Sequence, residues 1–130
     1  LPLLEEIYLK KWSSIAELDI ELIKLMLNQL GIKRKIYLSS ELDVNETNPT
    51  LRLIKLCKKV GADTYLSGSG GEEYLDHNLF QQEEIKLKFQ SFQHPVYTQL
   101  HPGFLTHLSA IDLLFNWGDH SLKKLEEGNK

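Results

Sequence analysis

Two histidines followed directly by proline, His94-Pro95 and His101-Pro102, bracket Tyr97 and Gln99 within ten residues. Proline keeps the residue before it out of the helical region, so both imidazoles are expected on extended, stiffened backbone. A connection held in that way can present His94, Tyr97 and Gln99 to a substrate. Imidazole titrates near neutrality, which suits His94 to work as a general acid or base. His94 and Tyr97 are therefore the candidate catalytic residues. The same two side chains could equally anchor an irregular segment through hydrogen bonds, and the residues alone leave both roles open.

A second cluster is Ser67-Gly68-Ser69-Gly70-Gly71, directly after the apolar stretch Asp63 to Leu66. Three glycines in four positions permit positive φ and close approach of a ligand to the backbone. A short helix expected from Glu72 to Leu75 would aim its first N–H groups into the same turn, which favours an anion such as phosphate or carboxylate. Ser67, Gly68, Ser69, Gly70 and Gly71 are thus candidate ligand contacts. Against this, no Walker-type lysine is present, and Glu72-Glu73 already offers negative charge to those donors. A tight strand-to-helix turn without a ligand is the alternative. No base is assignable beside Ser67 or Ser69, so neither reads as an activated nucleophile.

Other reactive residues carry less. Cys57 falls on the apolar stripe of an expected helix and reads as a small core residue rather than a nucleophile. The five histidines, His77, His94, His101, His107 and His120, show no short ligand spacing, so no zinc site is expected, and no cofactor is indicated. Asp112 sits inside the apolar run Leu108 to Phe115. It must lie on a wet face or be buried with a partner, and a structural cap or salt bridge is the expected role. Asn116, Trp117 and Gly118 read as the end of that helix.

The elements that must position these residues follow from periodicity. Ile15, Leu18, Leu22, Ile23, Met26 and Leu30 recur at three- and four-residue steps, predicting a helix from Ser14 to Leu30. Ser13 or Ser14 caps it, with Glu17 completing a capping box and Gly31 ending it. Lys35 to Ser39 reads as a strand. Thr47 or Asn48 and then Pro49 open a second helix whose stripe is Leu53, Ile54, Cys57 and Val60, closed by Gly61. Asp63 to Leu66 is the next strand. Ile85, Leu87 and Phe89 alternate with Lys86 and Lys88, as in a half-exposed strand. Leu105 to Phe115 and Ser121 to Glu127 are expected helices, with Leu108, Ile111, Leu114 and Phe115 on the buried side.

Alternating strands and helices predict an α/β fold: a mainly parallel, three-layer sheet of βαβ units with C-terminal helices, part of a larger Rossmann-like domain. With 130 residues, 42% of them hydrophobic, one domain with one core is expected across the whole chain. A net charge of -3 gives no general drive towards nucleic acid or an anionic membrane. The basic runs Lys10-Lys11, Lys33-Arg34-Lys35 and Lys58-Lys59 read as solvated faces. No apolar run approaches the length of a membrane span. The opening Leu1-Pro2-Leu3-Leu4 starts within an amphipathic segment and lacks a basic region, so a secretory signal is not expected and a fragment of a longer protein is.

The stretch from Thr50 to Gly68 resembles the WbqC-like family. Three further blocks agree: Gly71-Glu72-Glu73-Tyr74-Leu75-Asp76, His94-Pro95-Val96-Tyr97, and Leu108-Ser109-Ala110-Ile111-Asp112-Leu113-Leu114-Phe115-Asn116-Trp117-Gly118. Their order suits the C-terminal half of that family. Its N-terminal block, with a Gln-Pro-x-Tyr element and a downstream Asn-Arg pair, is not in this chain, which implies that an N-terminal part of the same protein is missing. The resemblance implies a cytoplasmic transferase of surface polysaccharide (O-antigen) biosynthesis. Such an enzyme would add an acyl or aminoacyl group such as glycine to a small-molecule or sugar substrate. It adds Tyr74 to Ser67, Gly68, His94 and Tyr97 as a residue in contact with ligand. A non-catalytic module binding a sugar or partner is the alternative. Tyr65 to Leu75 is also similar to the phosphate-holding Ser-Ser-Thr region of HIGH-type nucleotidyltransferases. Gly70-Gly71 here replaces the hydroxyl and basic residues of that region.

Overall fold

A computed structural model describes residues 2–128, so Leu1 lies outside the described residues. The elements are α1 (Pro2–Leu9), α2 (Ile15–Gln29), α3 (Pro49–Lys59), β1 (Thr64–Ser67), α4 (His77–Gln82), β2 (Lys86–Phe89), α5 (Ala110–Trp117) and α6 (Ser121–Glu126). Short 3-10 turns occupy Ser39–Glu41, Ser69–Glu73 and Gly118–His120. No helix among the described residues is long and apolar enough to cross a membrane. The chain is a mixture of helices with a small parallel sheet, divided into two compact units. One is Lys35–Phe92; the other joins the segment up to Arg34 to the segment from Gln93 onward.

In the Lys35–Phe92 unit, Asn48 caps α3 by accepting the Leu51 N–H at 3.0 Å, and Pro49 fills the first turn, where a missing N–H costs nothing. Gly61 ends the helix with φ +73°. Its N–H reaches Lys58 O at 3.1 Å, and the Ala62 N–H reaches Cys57 O at 2.9 Å. The chain then enters β1, crosses over through the 69–73 turn and α4, and returns as β2 parallel to β1. The register runs from Thr64 opposite Lys86 to Ser67 opposite Phe89. Asp76 caps α4 through its carboxylate, which accepts from Asn78 and Leu79. The core is Ile54, Cys57, Leu75, Phe80 and Ile85, with Tyr65, Leu87 and Phe89 packed on it from the sheet. The other sheet face is bare: Leu66 is 61% exposed, and Lys86 and Lys88 are open to solvent.

Two expectations fail in this unit. Lys35 to Ser39 forms no strand, and among the described residues the sheet has two strands rather than three. A strand is stable only when paired; Ile36 and Tyr37 are exposed, and Tyr37 is covered by its neighbour Lys35, whose Nζ lies 4.5 Å from the ring centre. The expected helix at Glu72 is instead the tail of the tight turn, and α4 starts only after Asp76 offers its cap.

In the other unit, Ser14 caps α2, accepting the Glu17 N–H at 3.3 Å. The Glu17 carboxylate reaches one residue further back than a standard capping box, to the Ser13 N–H at 3.1 Å and hydroxyl at 2.6 Å, and these bonds lower its pKa. Gly31, at φ +70°, closes the helix as expected. The apolar stripe of α2 is only half covered, and Ile15 and Ile23 stay exposed.

α5 starts at Ala110, five residues later than periodicity predicts, with Ser109 as its cap. The preceding backbone is spoken for: the Leu105 N–H and carbonyl bond the Gln99 amide, and His107 has φ +60°. That later start also changes the packed side. Leu113 is buried, while Leu108 and Phe115 are exposed.

Candidate functional site

The Gly-rich turn has an inside and an outside. Ser67, the last residue of β1, is 4% exposed, and its hydroxyl donates to Gly68 O at 3.0 Å. Gly71 is buried against it: a Cβ there would overlap Ser67 Oγ and lie 3.1 Å from Leu75 Cδ1. The missing side chain at 71 is therefore demanded by packing. Gly68 and Gly70 differ, since a Cβ at either would meet only open space. Neither is required by the fold sterically, and both face outward with Ser69. Tyr74 ends the turn with its ring 71% exposed. Ser67 to Gly71 and Tyr74 are thus gathered at the carboxyl end of a parallel strand, the edge where ligands of such sheets bind.

His94 and Tyr97, in the other unit, are brought together. Their rings stack at 6.0 Å and 26°. Phe104 meets the edge of Tyr97 at 5.2 Å and lies 5.7 Å from His94, while the His107 ring is 5.4 Å from His94. His94 is half-buried, with Nδ1 3.0 Å from Pro95 O. A carbonyl oxygen only accepts, so Nδ1 carries the proton of the neutral ring and Nε2 is the basic nitrogen. An open hollow of about 350 Å³ lined by Gln93, His94, Pro95, Val96, Lys124 and Glu127 gives solvent a route to this region. Lys124 pairs with Glu127 at 2.5 Å.

Tyr97 is buried, and its hydroxyl donates to Asp112 Oδ2 at 2.8 Å. Burial and that carboxylate bond both favour the neutral phenol and raise its pKa above the ordinary value. Gln99 donates to the same Oδ2 at 3.1 Å, and Asn116 donates to Oδ1 at 3.2 Å and to the Asp112 carbonyl at 2.8 Å. Asp112 is therefore neither a plain cap nor an ion-pair partner but the acceptor at the centre of a polar network. Sequence reasoning took Asn116 as a helix end. The Asp112/Asn116 spacing of four, which stacks the two on one helix face, was the signal available for joining them.

Cys57 is buried, and burial raises its pKa, which suits an inert core thiol. Among the described residues no group of three or more His, Cys, Asp or Glu side chains is placed to hold a metal ion.

The model of the WbqC-like protein family matches residues 1–124. The chain is also similar to the uncharacterized protein Rv1507c of Mycobacterium tuberculosis (strain ATCC 25618 / H37Rv), with 30% identity over 117 residues. That match covers 88% of this chain and 50% of the relative, so the chain spans about half the relative's length. No solved structure matches.

Proposed function

The chain belongs to the WbqC-like protein family, and on that footing we propose that the whole protein is a transferase of surface polysaccharide (O-antigen) biosynthesis. It adds an acyl or aminoacyl group, such as glycine, to a sugar. The observation that carries this reading is the half-buried His94 imidazole, oriented by Pro95 O and walled by Tyr97 and Phe104. In the reaction, Nε2 takes the proton of the attacking sugar group as the new bond to the acyl carbon forms. It then returns that proton to the leaving group as the donor bond breaks. In the Lys35–Phe92 unit, Gly68, Ser69, Gly70 and Tyr74 contact an anionic ligand of their own, while Ser67 and Gly71 shape the turn from within. The reading puts the protein in the cytoplasm. A further portion of the protein completes the site, adds strands at the edges of the β1–β2 pair and covers its bare face with helices, giving a three-layer Rossmann-like sheet.

The second reading is a non-catalytic module binding a sugar or a partner. The Tyr97–Asp112 bond favours it, because that hydroxyl is already engaged inside the protein. Thermal-shift screening of the full-length protein against nucleotides, nucleotide sugars, acyl donors and amino acids identifies the donor class. A ligand at about 100 times its Kd stabilises by roughly 2.7 kcal/mol. With a donor in hand, His94→Ala abolishes turnover and spares binding if the first reading holds. Turnover that survives this change removes the catalytic assignment.

A further inference from the structure

The segment from Gln93 to Ser109 contains no regular element, yet it carries the imidazole on which the proposed chemistry depends. Something must hold His94 still. The contact of its Nδ1 with the adjacent Pro95 O fixes the ring relative to the segment, and the neighbouring Gln93 N–H, donating to Gly128 O at 3.0 Å, ties the start of the segment to the end of α6. A separate link, to α5, runs through the stacked neighbour. The Tyr97 ring lies against His94, and the Tyr97 hydroxyl is held by a carboxylate on α5. A carboxylate accepting several donors is a strong anchor, since hydrogen bonds to an ionised group are about twice as strong as neutral ones. Here three side chains converge on it, with Gln99 tying the same segment a second time and Asn116 securing the other oxygen from within the helix.

We infer that Asp112 is a positioning residue of the His94 site, acting through Tyr97. The inference deepens the transferase reading and divides the labour inside it. The phenol proton is committed to Asp112, so Tyr97 presents a fixed ring wall rather than a proton to substrate, and of the two residues it is His94 that transfers the proton. Gln99 and Asn116 keep the carboxylate in the rotamer that the phenol needs. Phe104, nearly perpendicular to Tyr97 and 5.7 Å from His94, packs against both rings.

The test is histidine side-chain NMR on the full-length protein, with no ligand required. A stacked imidazole feels the ring currents of Tyr97 and Phe104, so its Hε1 and Cε1 resonances are displaced from those of the exposed His101 and His120, which serve as internal references. Asp112→Ala is expected to collapse the His94 displacement towards the reference values while the fold persists by circular dichroism. Asp112→Asn, which keeps one oxygen to accept the phenol, is expected to restore part of it. Should Asp112→Ala not fold, Tyr97→Phe decides, since it deletes only the hydroxyl and leaves the ring. His94 resonances that stay at wild-type positions in a folded Asp112→Ala or in Tyr97→Phe overturn the inference.

With turnover measurable in the full-length protein, Asp112→Ala should lower kcat by up to about 100-fold, with KM little changed. The two readings fail separately. Turnover that survives His94→Ala ends the acid–base role and leaves the NMR result intact, whereas an unmoved His94 resonance ends the role of Asp112 and leaves His94 catalysis intact.

Discussion

The hydroxyl of Ser67 occupies the space that a side chain at Gly71 would need. The two residues close the turn after β1 by direct contact, and the restriction falls on Gly71 rather than on its outward-facing neighbours.

Gly71→Ala should therefore destabilise the protein by about 1–3 kcal/mol, the usual cost of overpacking a filled interior. Gly70→Ala, with open space at its Cβ position, should cost far less. Urea unfolding of the two variants checks this; equal losses would show that Ser67 moves aside freely.

Tyr97 has its pKa raised by burial and by the Asp112 carboxylate. A tyrosine whose folded pKa exceeds its unfolded value contributes stability that is fully present below about pH 10 and is lost as pH rises through the folded pKa. Tyr97→Phe removes a hydrogen bond to a charged acceptor, worth about 1.5–3 kcal/mol at neutral pH. The variant's deficit should then shrink with rising alkalinity. Thermal melts from pH 7 to 11 on both proteins give the difference; a constant gap would mean that Tyr97 does not titrate with unfolding.

Cys57 is buried in the core with Ile54 and Phe80. Its thiol should react with an aromatic disulfide reagent only as fast as the Lys35–Phe92 unit opens, and fully in denaturant. Immediate labelling of the native protein would contradict its place in the core.

Phe80 is almost wholly enclosed, and its ring stacks on Tyr65 at 5.6 Å. Phe80→Ala should cost about 3–5 kcal/mol, enough to unfold a marginal domain. Loss of the near-ultraviolet tyrosine signal would report it.

What could be read from the residues was local and periodic. Asn48-Pro49 and Gly61 bound α3 as their chemistry dictates, and the Ile85/Leu87/Phe89 alternation with lysines gave β2 its inner and outer faces. The failures share a cause: each depended on a partner that one-dimensional patterning cannot supply. Lys35 to Ser39 has strand-like residues but no strand beside it. Leu105 to Ser109 has helical spacing, but Gln99 claims the Leu105 backbone before a helix can. At the site, the stiffened His94-Pro95 segment could be anticipated, whereas the convergence of Tyr97, Gln99 and Asn116 on Asp112 joins residues up to nineteen positions apart (97 to 116) and is visible only in three dimensions.

The unit that holds His94 is built from chain on both sides of Lys35–Phe92. Synthesis at roughly 5–20 residues per second delivers α1 and α2 first, then the entire middle unit, and only afterwards α5, against which α2 packs. The middle unit has all its strands and core in one uninterrupted stretch and can consolidate while the ribosome is still working. The first two helices cannot: they wait with apolar surface uncovered until the last third of the chain emerges. The His94 region thus takes shape only after the middle unit, and a chain stalled between the two would leave a well-formed middle trailing an unfinished partner, the kind of species that chaperones retain.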